Sequence, residues 1–312
     1  MSPEALLERC LGPSGYVAAQ EGPSEDYGRV WARDACICGL SVYWTTGEVE
    51  GLERSLRTLL GKTGPAGQVP SNVGSSVSYG SRSGRVDATL WAMVALRELG
   101  RDNSSFGPLL RAWEFNANGR IVTPEGGNWA DEYPIGGETL YDNALRSRAE
   151  DTPLRGFRGL PAALTPAGPD ERFDAFGVAL CVLWSLGRKQ DREAAFERGL
   201  ALRRHGLVPA FDPVITQADP RWSRIEGLAV HELRNLPGRY HNGGLWPVVN
   251  GFWARAARAI HRHDIADELL AAIQAANAHG YPEYLDANTG EPGGALSQAW
   301  SAAGELLAQL RA

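Results

Sequence analysis

Apolar residues recur at three- and four-residue spacing along most of the chain, which predicts a predominantly helical protein. The pattern is present in eleven segments, at residues 34–46, 48–60, 86–99, 106–117, 138–149, 173–187, 190–204, 223–233, 245–262, 264–278 and 295–310. Runs that alternate apolar and polar residues are scarce, so few strands are expected.

The helical segments are of two kinds. Segments such as "FDAFGVALCVLWSLG" (173–187) and "LWPVVNGFWARAARAI" (245–260) are apolar nearly all round, whereas "DREAAFERGLALRRHG" (191–206) carries charge on one face. A helix that is apolar all round must be buried on every side, and an amphipathic helix covers it. Because no Pro/Ser-rich linker interrupts residues 1–312, the pattern predicts one all-α domain, an (α/α)6 toroid. No repeat strong enough to indicate a solenoid is present.

The connections between helices also alternate in length. Short polar connections such as "GRKQDREA" and "HRHDIADE" contrast with long ones rich in glycine and aromatic residues, at residues 61–85, 119–137, 234–244 and 279–294. In a barrel of this kind the long loops gather at one end and carry the chemistry. That end is therefore where a functional site is expected.

Composition narrows the classes of partner. The formal net charge of −6 and the isoelectric point near 5.6 argue against nucleic acid or an anionic membrane as the main partner. No stretch approaches the roughly 20 apolar residues of a membrane helix, and the first 25 residues lack the pattern of a signal peptide. These features predict a cytoplasmic protein. A homo-oligomer remains open.

The cysteine pattern favours buried thiols over a disulfide framework or a metal site. The chain has four cysteines, and the pair Cys36 and Cys38 lies in an apolar helical run without a second pair of ligands. Cys10 and Cys181 are far from it in sequence. No metal site is predicted.

The ten tryptophans and 37 glycines bear on the kind of functional site, because several of the tryptophans lie in predicted loops or at predicted helix starts. The segment "GGNWADEYPIGG" (126–137) places Trp129, Asp131 and Glu132 between two pairs of glycines. "GRVWARDA" (28–35) places Trp31 beside an Arg–Asp pair that could clamp hydroxyl groups or form a salt bridge at the helix start. Aromatic faces beside carboxylates are typical of sugar sites, although any single Trp is more often a core residue.

Three further segments combine polar and aromatic residues. "SGRVDATLW" (83–91) opens a helix with Asp87, a residue type that the helix dipole favours there in any case. "YHNGGLWP" (240–247) places Tyr240, His241, Asn242 and Trp246 at another helix start, and "YPEYLDANTGEPGG" (281–294) contains Glu283 between two tyrosines. Glu291 falls in a turn and is expected to be peripheral.

Glycosidic hydrolysis needs two carboxyl groups on opposite faces of the sugar. Asp131 and Glu283 each lie in a long loop that we expect at the same end of the barrel. The sequence therefore identifies them as a candidate pair, although two acids in two long loops can also coincide by chance.

The segments "GRVWARD", "GRVDATLW", "NWADEYP", "RFDAFGVAL", "YHNGGLWP" and "YPEYLD…GEPGG…SQAWSAA", in this order, resemble the neutral/alkaline invertase family. Its relatives include glycogen-debranching-type α-glucosidases and the mannosylglycerate and glucosylglycerate hydrolases. The resemblance covers nearly the whole chain. It implies an (α/α)6 barrel and inverting hydrolysis of a small carbohydrate without a metal or organic cofactor.

The resemblance also implies roles for individual residues. It assigns the general acid to Asp131 and the general base to Glu283. The positions that match those lining the sugar pocket are Trp31, Arg33, Asp34, Asp87, Trp129, His241, Asn242, Trp246 and Trp300. Tyr240 and Glu132 join this set as neighbours, and Glu132 is an alternative acid. The chain is shorter than most family members, and the residues after Asp131 are not basic as they are in invertases, which disfavours sucrose.

These observations predict an exo-acting inverting hydrolase of a small α-linked glucoside or oligosaccharide, with Arg33 and Asp34 holding the non-reducing sugar. We expect apolar surroundings and the charge of Glu132 to keep Asp131 protonated near neutral pH. Two alternatives remain: a sugar epimerase using histidines, with candidates at His231, His241 and His279, and a non-catalytic sugar-binding scaffold.

Overall fold

The computed structural model describes residues 1–20, 25–80, 85–114, 117–230 and 232–311. The described helices are α1 (Pro3–Cys10), α2 (Ala32–Thr46), α3 (Glu50–Leu60), α4 (Val86–Glu98), α5 (Gly107–Ala112), α6 (Leu140–Glu150), α7 (Ala175–Leu183), α8 (Lys189–Ala201), α9 (Trp222–Leu228), α10 (Pro247–Ala259), α11 (His263–Asn277) and α12 (Ala299–Gln309). Two short 3₁₀ turns, Glu25–Gly28 and Ser104–Phe106, precede α2 and α5.

Short antiparallel strands brace the loops. They are β1 (Leu11–Gly12), β2 (Gly15–Tyr16), β3 (Val30–Trp31), β4 (Asn72–Val73), β5 (Val77–Ser78), β6 (Glu138–Thr139), β7 (Ala163–Thr165), β8 (Gly168–Asp170), β9 (Phe173–Asp174), β10 (Phe211–Asp212), β11 (Tyr284–Leu285) and β12 (Pro292–Gly293). They form the sheets β1–β2, β3–β4–β5, β6–β7–β8, β9–β10 and β11–β12. The three-stranded sheet β3–β4–β5 ties the residues before α2 to the long loop before α4.

Six helices form a closed inner ring. In order around the ring, α2 packs on α4, α4 on α6, α6 on α7, α7 on α10, α10 on α12, and α12 on α2. Helices α10 and α12 approach each other closely, since a Cβ added at Gly251 would overlap the backbone of Gly304. The ring confirms the predicted (α/α)6 toroid.

The remaining helices lie outside this ring. Helix α3 packs on α2, α8 on α7, α11 on both α10 and α12, and α1 on α12. Between α6 and α7, where all residues are described, the chain forms the β7–β8 hairpin in place of an outer helix. Burial follows the predicted division, because every residue of α7 from Ala175 to Val182 is buried, whereas α8 buries only one face.

All eleven predicted helical segments contain a helix, and in the segment 106–117 that helix, α5, ends at Ala112. The sequence analysis missed α1, a helix of eight residues that begins with Pro3 at its first position after the cap Ser2. It also missed the strands, since two-residue pairings have no periodic signature.

All four cysteines are free and buried, as predicted. No helix in the described part of the chain is long and apolar enough to cross a membrane. The long loops meet at the N-terminal ends of the inner helices, and the candidate site lies there.

Candidate active site

A cavity of about 850 Å³ opens at the N-terminal ends of the inner helices. Its walls come from the segments before α2, α4, α10 and α12 and from the loop that precedes α6. The predicted site residues that line it are Trp31, Arg33, Asp34, Trp129, Asp131, Glu132, Tyr240, His241, Trp246, Glu283 and Trp300. The fold therefore brings together most of the residues that the sequence singled out.

One end of the cavity is walled by buried aromatic rings. His241 stacks on Trp246, with ring centroids 4.7 Å apart and an interplanar angle of 10°. Trp129 meets His241 edge-on at 4.9 Å, and Trp300 meets Trp246 edge-on at 5.3 Å. Because these rings are buried against one another, this end of the cavity is formed mainly by aromatic faces.

Arg33 is the centre of a buried charge cluster at the start of α2. Its Nη1 lies 3.2 Å from Oδ2 of Asp87, and its Nε lies 3.7 Å from Oδ2 of Asp34. Burial raises the pKa of Asp34 to about 6, although the neighbouring Arg33 opposes the shift. The salt bridge, one of the two alternatives that the sequence left open, is thus present, and both Arg33 and Asp34 also line the cavity.

Two predicted site residues lie away from the cavity wall. Asp87 is fully buried behind Arg33, and its Oδ2 accepts hydrogen bonds from Arg33 and from the hydroxyl of Tyr141. The side-chain amide of Asn242 is hydrogen-bonded to the backbone of Ile215. Its Oδ1 accepts from Ile215 N at 2.7 Å, and its Nδ2 donates to Ile215 O. In this structure neither residue lines the cavity, and each supports its neighbours from behind.

Asp131 is held between two guanidinium groups. Its Oδ1 is in close contact with Nη1 of Arg85, and its Oδ2 lies 3.9 Å from Nη2 of Arg33. Burial alone would raise the pKa of Asp131, but Arg85 and Arg33 outweigh it and hold the pKa below its ordinary value. The expectation that Asp131 is protonated near neutral pH is therefore wrong for this arrangement, because the sequence did not reveal these two partners.

Glu132 does not direct its charge at Asp131 as expected. Its Oε1 accepts a hydrogen bond from Nη2 of Arg234 at 3.0 Å. The guanidinium of Arg234 lies over the ring of Tyr240, 4.6 Å from its centroid. Arg234 also lines the cavity and was missed by the sequence analysis.

Glu283 lies directly before β11, with its carboxylate fixed by two donors. Its Oε2 accepts from the hydroxyl of Tyr27 at 3.2 Å and from the backbone N–H of Ala295 at 3.1 Å. Burial raises the pKa of Glu283 to about 6, although the Ala295 N–H and the nearby Arg234 oppose the shift. Tyr27 was missed, although its place four residues before Trp31 in "YGRVWARD" was a usable signal.

Two buried polar residues organise the loop that carries Asp131. Asp142, in the first turn of α6, accepts hydrogen bonds from Thr123, Asn128 and Thr139. Asn235 joins this loop to the "YHNGG" loop: its Nδ2 donates to the carbonyl of Glu132, and its Oδ1 accepts from the N–H of His241. The loop that carries Asp131 is therefore held by hydrogen bonds to both Asp142 and Asn235.

Several buried polar atoms on the cavity wall have no hydrogen-bond partner among the described residues. They include Nδ1 and Nε2 of His241, Nε1 of Trp129, Nε1 of Trp300 and Oε1 of Gln298, together with Nε of Arg33, Arg85 and Arg234 and Oε2 of Glu132. Burial lowers the pKa of His241 well below its ordinary value, so the imidazole is neutral. Gln298, at the N-cap of α12, was not predicted as a site residue.

Of the three histidines considered for epimerase chemistry, His241 is the one that lines the described part of the cavity. His279 is exposed near the end of α11, and His231 lies outside the described residues.

Comparison with known proteins supports the resemblance in the sequence. The family model described as alkaline and neutral invertase matches residues 156–311, which is half of the chain. The chain belongs to the alkaline and neutral invertase family. Among its curated relatives, probable alkaline/neutral invertase F of Arabidopsis thaliana is 32% identical over 170 residues, covering 51% of this chain and 32% of that protein. Cytosolic invertase 1 of Oryza sativa subsp. japonica is 29% identical over 155 residues, covering 47% and 27%.

The match to these invertases spans about a quarter to a third of their length. The region matched by the family model includes Glu283 and the "YHNGGLWP" segment, whereas Arg33 and Asp131 lie before it. The match to solved structures extends over nearly the whole chain. The GH63 mannosylglycerate hydrolase from Thermus thermophilus, solved with Tris and D-glycerate, gives a TM-score of 0.66 at 17% identity, covering 98% of both chains.

A bacterial glucoamylase solved with acarbose gives a TM-score of 0.65 at 13% identity, covering 97% of this invertase-family chain and 53% of the glucoamylase. At these identities the structural likeness shows the fold alone.

Proposed function

We propose that this protein is an inverting glycoside hydrolase that removes one sugar from the non-reducing end of a small α-linked glucoside or oligosaccharide. The observation that carries the proposal is the presence of Asp131 and Glu283 on the wall of one cavity, although they are far apart in sequence. Membership of the invertase family supports glycosidic bonds as the target.

We extend the proposal to one catalytic domain formed by residues 1–312. Closure of the inner ring by contact between α12 and α2 supports it, because the ring needs helices from both ends of the chain.

In the proposed mechanism, protonated Asp131 gives its proton to the glycosidic oxygen as the bond to the anomeric carbon breaks. Ionised Glu283 takes a proton from a water whose oxygen bonds to that carbon from the opposite face. The products are a sugar of inverted configuration and the released alcohol, and solvent restores both carboxyl groups to their starting forms. Inverting enzymes place the two carboxyl groups roughly 6.5–9.5 Å apart to admit this water.

The buried aromatic rings at one end of the cavity support exo action on a single sugar ring. Buried polar atoms in folded proteins normally have partners. The unpartnered atoms of His241, Trp129, Trp300 and Gln298 are therefore suited to hydrogen bonds with sugar hydroxyls. Arg33 and Asp34 add charged groups for the same sugar.

Two other functions are less well supported. An epimerase that uses a histidine pair has one neutral candidate, His241, on the described part of the cavity wall. A non-catalytic sugar-binding protein would not need Tyr27 and Ala295 to fix the carboxylate of Glu283. Glu132 remains an alternative acid, although its Oε1 accepts a hydrogen bond from Arg234.

The test is proton NMR of the anomeric signals in a panel of sucrose, maltose, isomaltose, trehalose and glucosylglycerate. We expect β-sugar to appear first with one of them, and Asp131→Asn and Glu283→Gln to abolish its formation. Glu132→Gln separates the two candidate acids. Glu291→Gln is the matched control for Glu283, because Glu291 is exposed in the same hairpin. Release of α-sugar first, or unchanged activity in both variants, would refute the mechanism.

A further inference from the structure

The two arginines beside Asp131 are bound to the protein in different ways. Arg33 has Asp87 and Asp34 as further carboxylate partners, and both are buried. Arg85 forms an ion pair with Asp131, and among the described residues this is its one carboxylate partner. The Nη1 atom of Arg85 also donates to the carbonyl of Asn128 at 3.0 Å.

The other contacts that the structure describes for the Arg85 side chain are not ion pairs. Its guanidinium lies over the ring of Trp31, 5.7 Å from the centroid, and its Nε is buried without a hydrogen-bond partner in the described part of the chain. The side chain begins at the N-cap of α4, so a rotation of the side chain leaves the helix intact. Both Arg85 and Trp31 line the cavity, where a ligand can replace their mutual contact.

This ion pair conflicts with the proposed chemistry. A general acid must carry a proton on an oxygen that reaches the glycosidic oxygen. In this structure Arg85 occupies Oδ1 of Asp131 and its positive charge favours the ionised carboxylate. Because Arg33 is fixed by two other carboxylates, Arg85 is the partner that has to leave.

We propose that Arg85 is a positioning residue that keeps Asp131 ionised until the leaving-group half of the substrate displaces its guanidinium, so that Asp131 takes up one proton as the complex forms. The inference rests on the proposed function. It adds that occupation of both sides of the scissile bond, and not of the sugar end alone, prepares the acid.

The charged and titratable groups around Asp131 support the uptake of a proton by Asp131 when Arg85 leaves. They are Arg33 and Asp34 on α2, Asp87 on α4, the adjacent Glu132, and Arg234, Tyr240 and His241 from the neighbouring loop. Once Arg85 leaves, Arg33 is the remaining guanidinium in contact with the carboxylate, and Asp34 and Asp87 partly cancel its charge. His241 is neutral and adds no positive charge.

Over one turnover, the protons that the enzyme takes up from solvent equal those that it returns. Asp131 takes a proton from solvent as Arg85 leaves and gives it to the glycosidic oxygen. Glu283 takes a proton from the attacking water and returns it to solvent after the products depart. Arg85 then pairs again with the ionised Asp131, so the enzyme is unchanged.

The experiment counts protons on binding. The ligand is the sulfur-linked analogue of the disaccharide cleaved in the NMR panel, and free glucose serves as a ligand for the sugar end alone. Calorimetry near pH 7 in two buffers of different ionisation enthalpy gives the protons taken up. Carboxyl ¹³C NMR of aspartate-labelled protein, with Asp131 assigned by Asp131→Asn, identifies where they go.

For the wild type we expect uptake of about one proton with the disaccharide analogue and none with glucose. Arg85→Gln should take up clearly less, because its Asp131 is already partly protonated, and Arg85→Lys should restore the uptake. Arg101→Gln is the matched control, since Arg101 pairs with Glu53 on the surface and does not line the cavity. If Arg85→Gln does not fold, the numbers of protons taken up by the wild type and by Arg85→Lys still test the inference.

Binding of the analogue without proton uptake would overturn the inference, and so would equal uptake by wild type and Arg85→Gln. Either result leaves the hydrolase proposal intact, because that rests on turnover and on the Asp131 and Glu283 variants. If no sugar in the panel is cleaved, the proposed function fails and this inference falls with it.

Discussion

Replacing Gly294 by alanine should disable the base while leaving the fold nearly intact. Gly294 has a φ of +73°, and its backbone lies directly against the side chain of Glu283. A Cβ at this position would overlap Oε2 of Glu283 and would lie 2.7 Å from its Cβ and 2.9 Å from its Cδ. Since the nearest atoms include the stem of the side chain, the carboxylate has to shift as a whole.

Two contributions can be estimated separately. The left-handed backbone conformation costs a non-glycine residue roughly 1–2 kcal/mol. Displacement of the carboxylate breaks its hydrogen bonds to Tyr27 and Ala295 and moves it away from the attacking water. General base catalysis contributes about 10²–10⁴-fold, so we expect kcat to fall by about 10²-fold or more, while KM changes little.

Gly280→Ala is the matched control. Gly280 also has a positive φ, +94°, but the nearest atom to an added Cβ is Cδ1 of Leu296 at 3.9 Å. Both variants should lose the stability that a positive φ costs a non-glycine residue, and Gly294→Ala should lose more in urea denaturation because it also breaks the two hydrogen bonds of Glu283. Only Gly294→Ala should lose kcat. If Gly294→Ala keeps a kcat close to that of Gly280→Ala, Glu283 is not the base in this geometry.

Two further predictions concern stability and binding. Burial raises the pKa of Asp174 to about 7, although the N–H groups of Phe176 and Gly177 that it caps oppose the shift. Between about pH 4 and 7 the folded state therefore holds a proton that the unfolded state has lost, and the stability from Asp174 falls by up to about 1.4 kcal/mol per pH unit as the pH rises. Asp174→Asn keeps the capping hydrogen bonds but does not titrate. Its free energy of unfolding in urea, relative to that of the wild type, should therefore increase as the pH rises from about 4 to 7. A difference that stays constant with pH would contradict the assignment. His241→Phe keeps a ring against Trp246 but removes both ring nitrogens, and should lower kcat/KM by about 5- to 150-fold without loss of stability. An unchanged kcat/KM would show that His241 does not bind the sugar.

The sequence predicts the ring well because its signal is local and strong. A helix such as α7 or α10 that is apolar on all sides can be stable only when other helices surround it. The long loops rich in glycine and aromatic residues identify the functional end for a similar reason, since short polar connections cannot form a cavity wall. Both inferences depend on neighbours in the chain, which the sequence displays directly.

The electrostatics of the site could not be predicted in this way. Asp131 and Arg85 are 46 residues apart, and their ion pair depends on how the loop before α6 lies against the start of α4. Asp87 and Asn242 stand within promising segments, but their side chains turn inward to Arg33 and to the backbone. Which way a side chain turns at a helix start depends on contacts far away in sequence.

The cavity and the stability of the ring compete for the same positions, the N-caps of the inner helices. Ser, Thr, Asp or Asn at an N-cap typically stabilises a helix by about 0.5–2 kcal/mol relative to alanine. The two inner helices whose N-caps lie off the cavity wall, α6 and α7, use Thr139 and Asp174 in this way. The other four have N-caps on the cavity wall without a side-chain capping bond, at Trp31, Arg85, Trp246 and Gln298. Each of those positions carries a large side chain that lines the cavity and makes no capping hydrogen bond to its own helix. The chain therefore gives up capping at the helix starts that form the cavity, and close packing of the ring, as between α10 and α12, has to hold those starts in place.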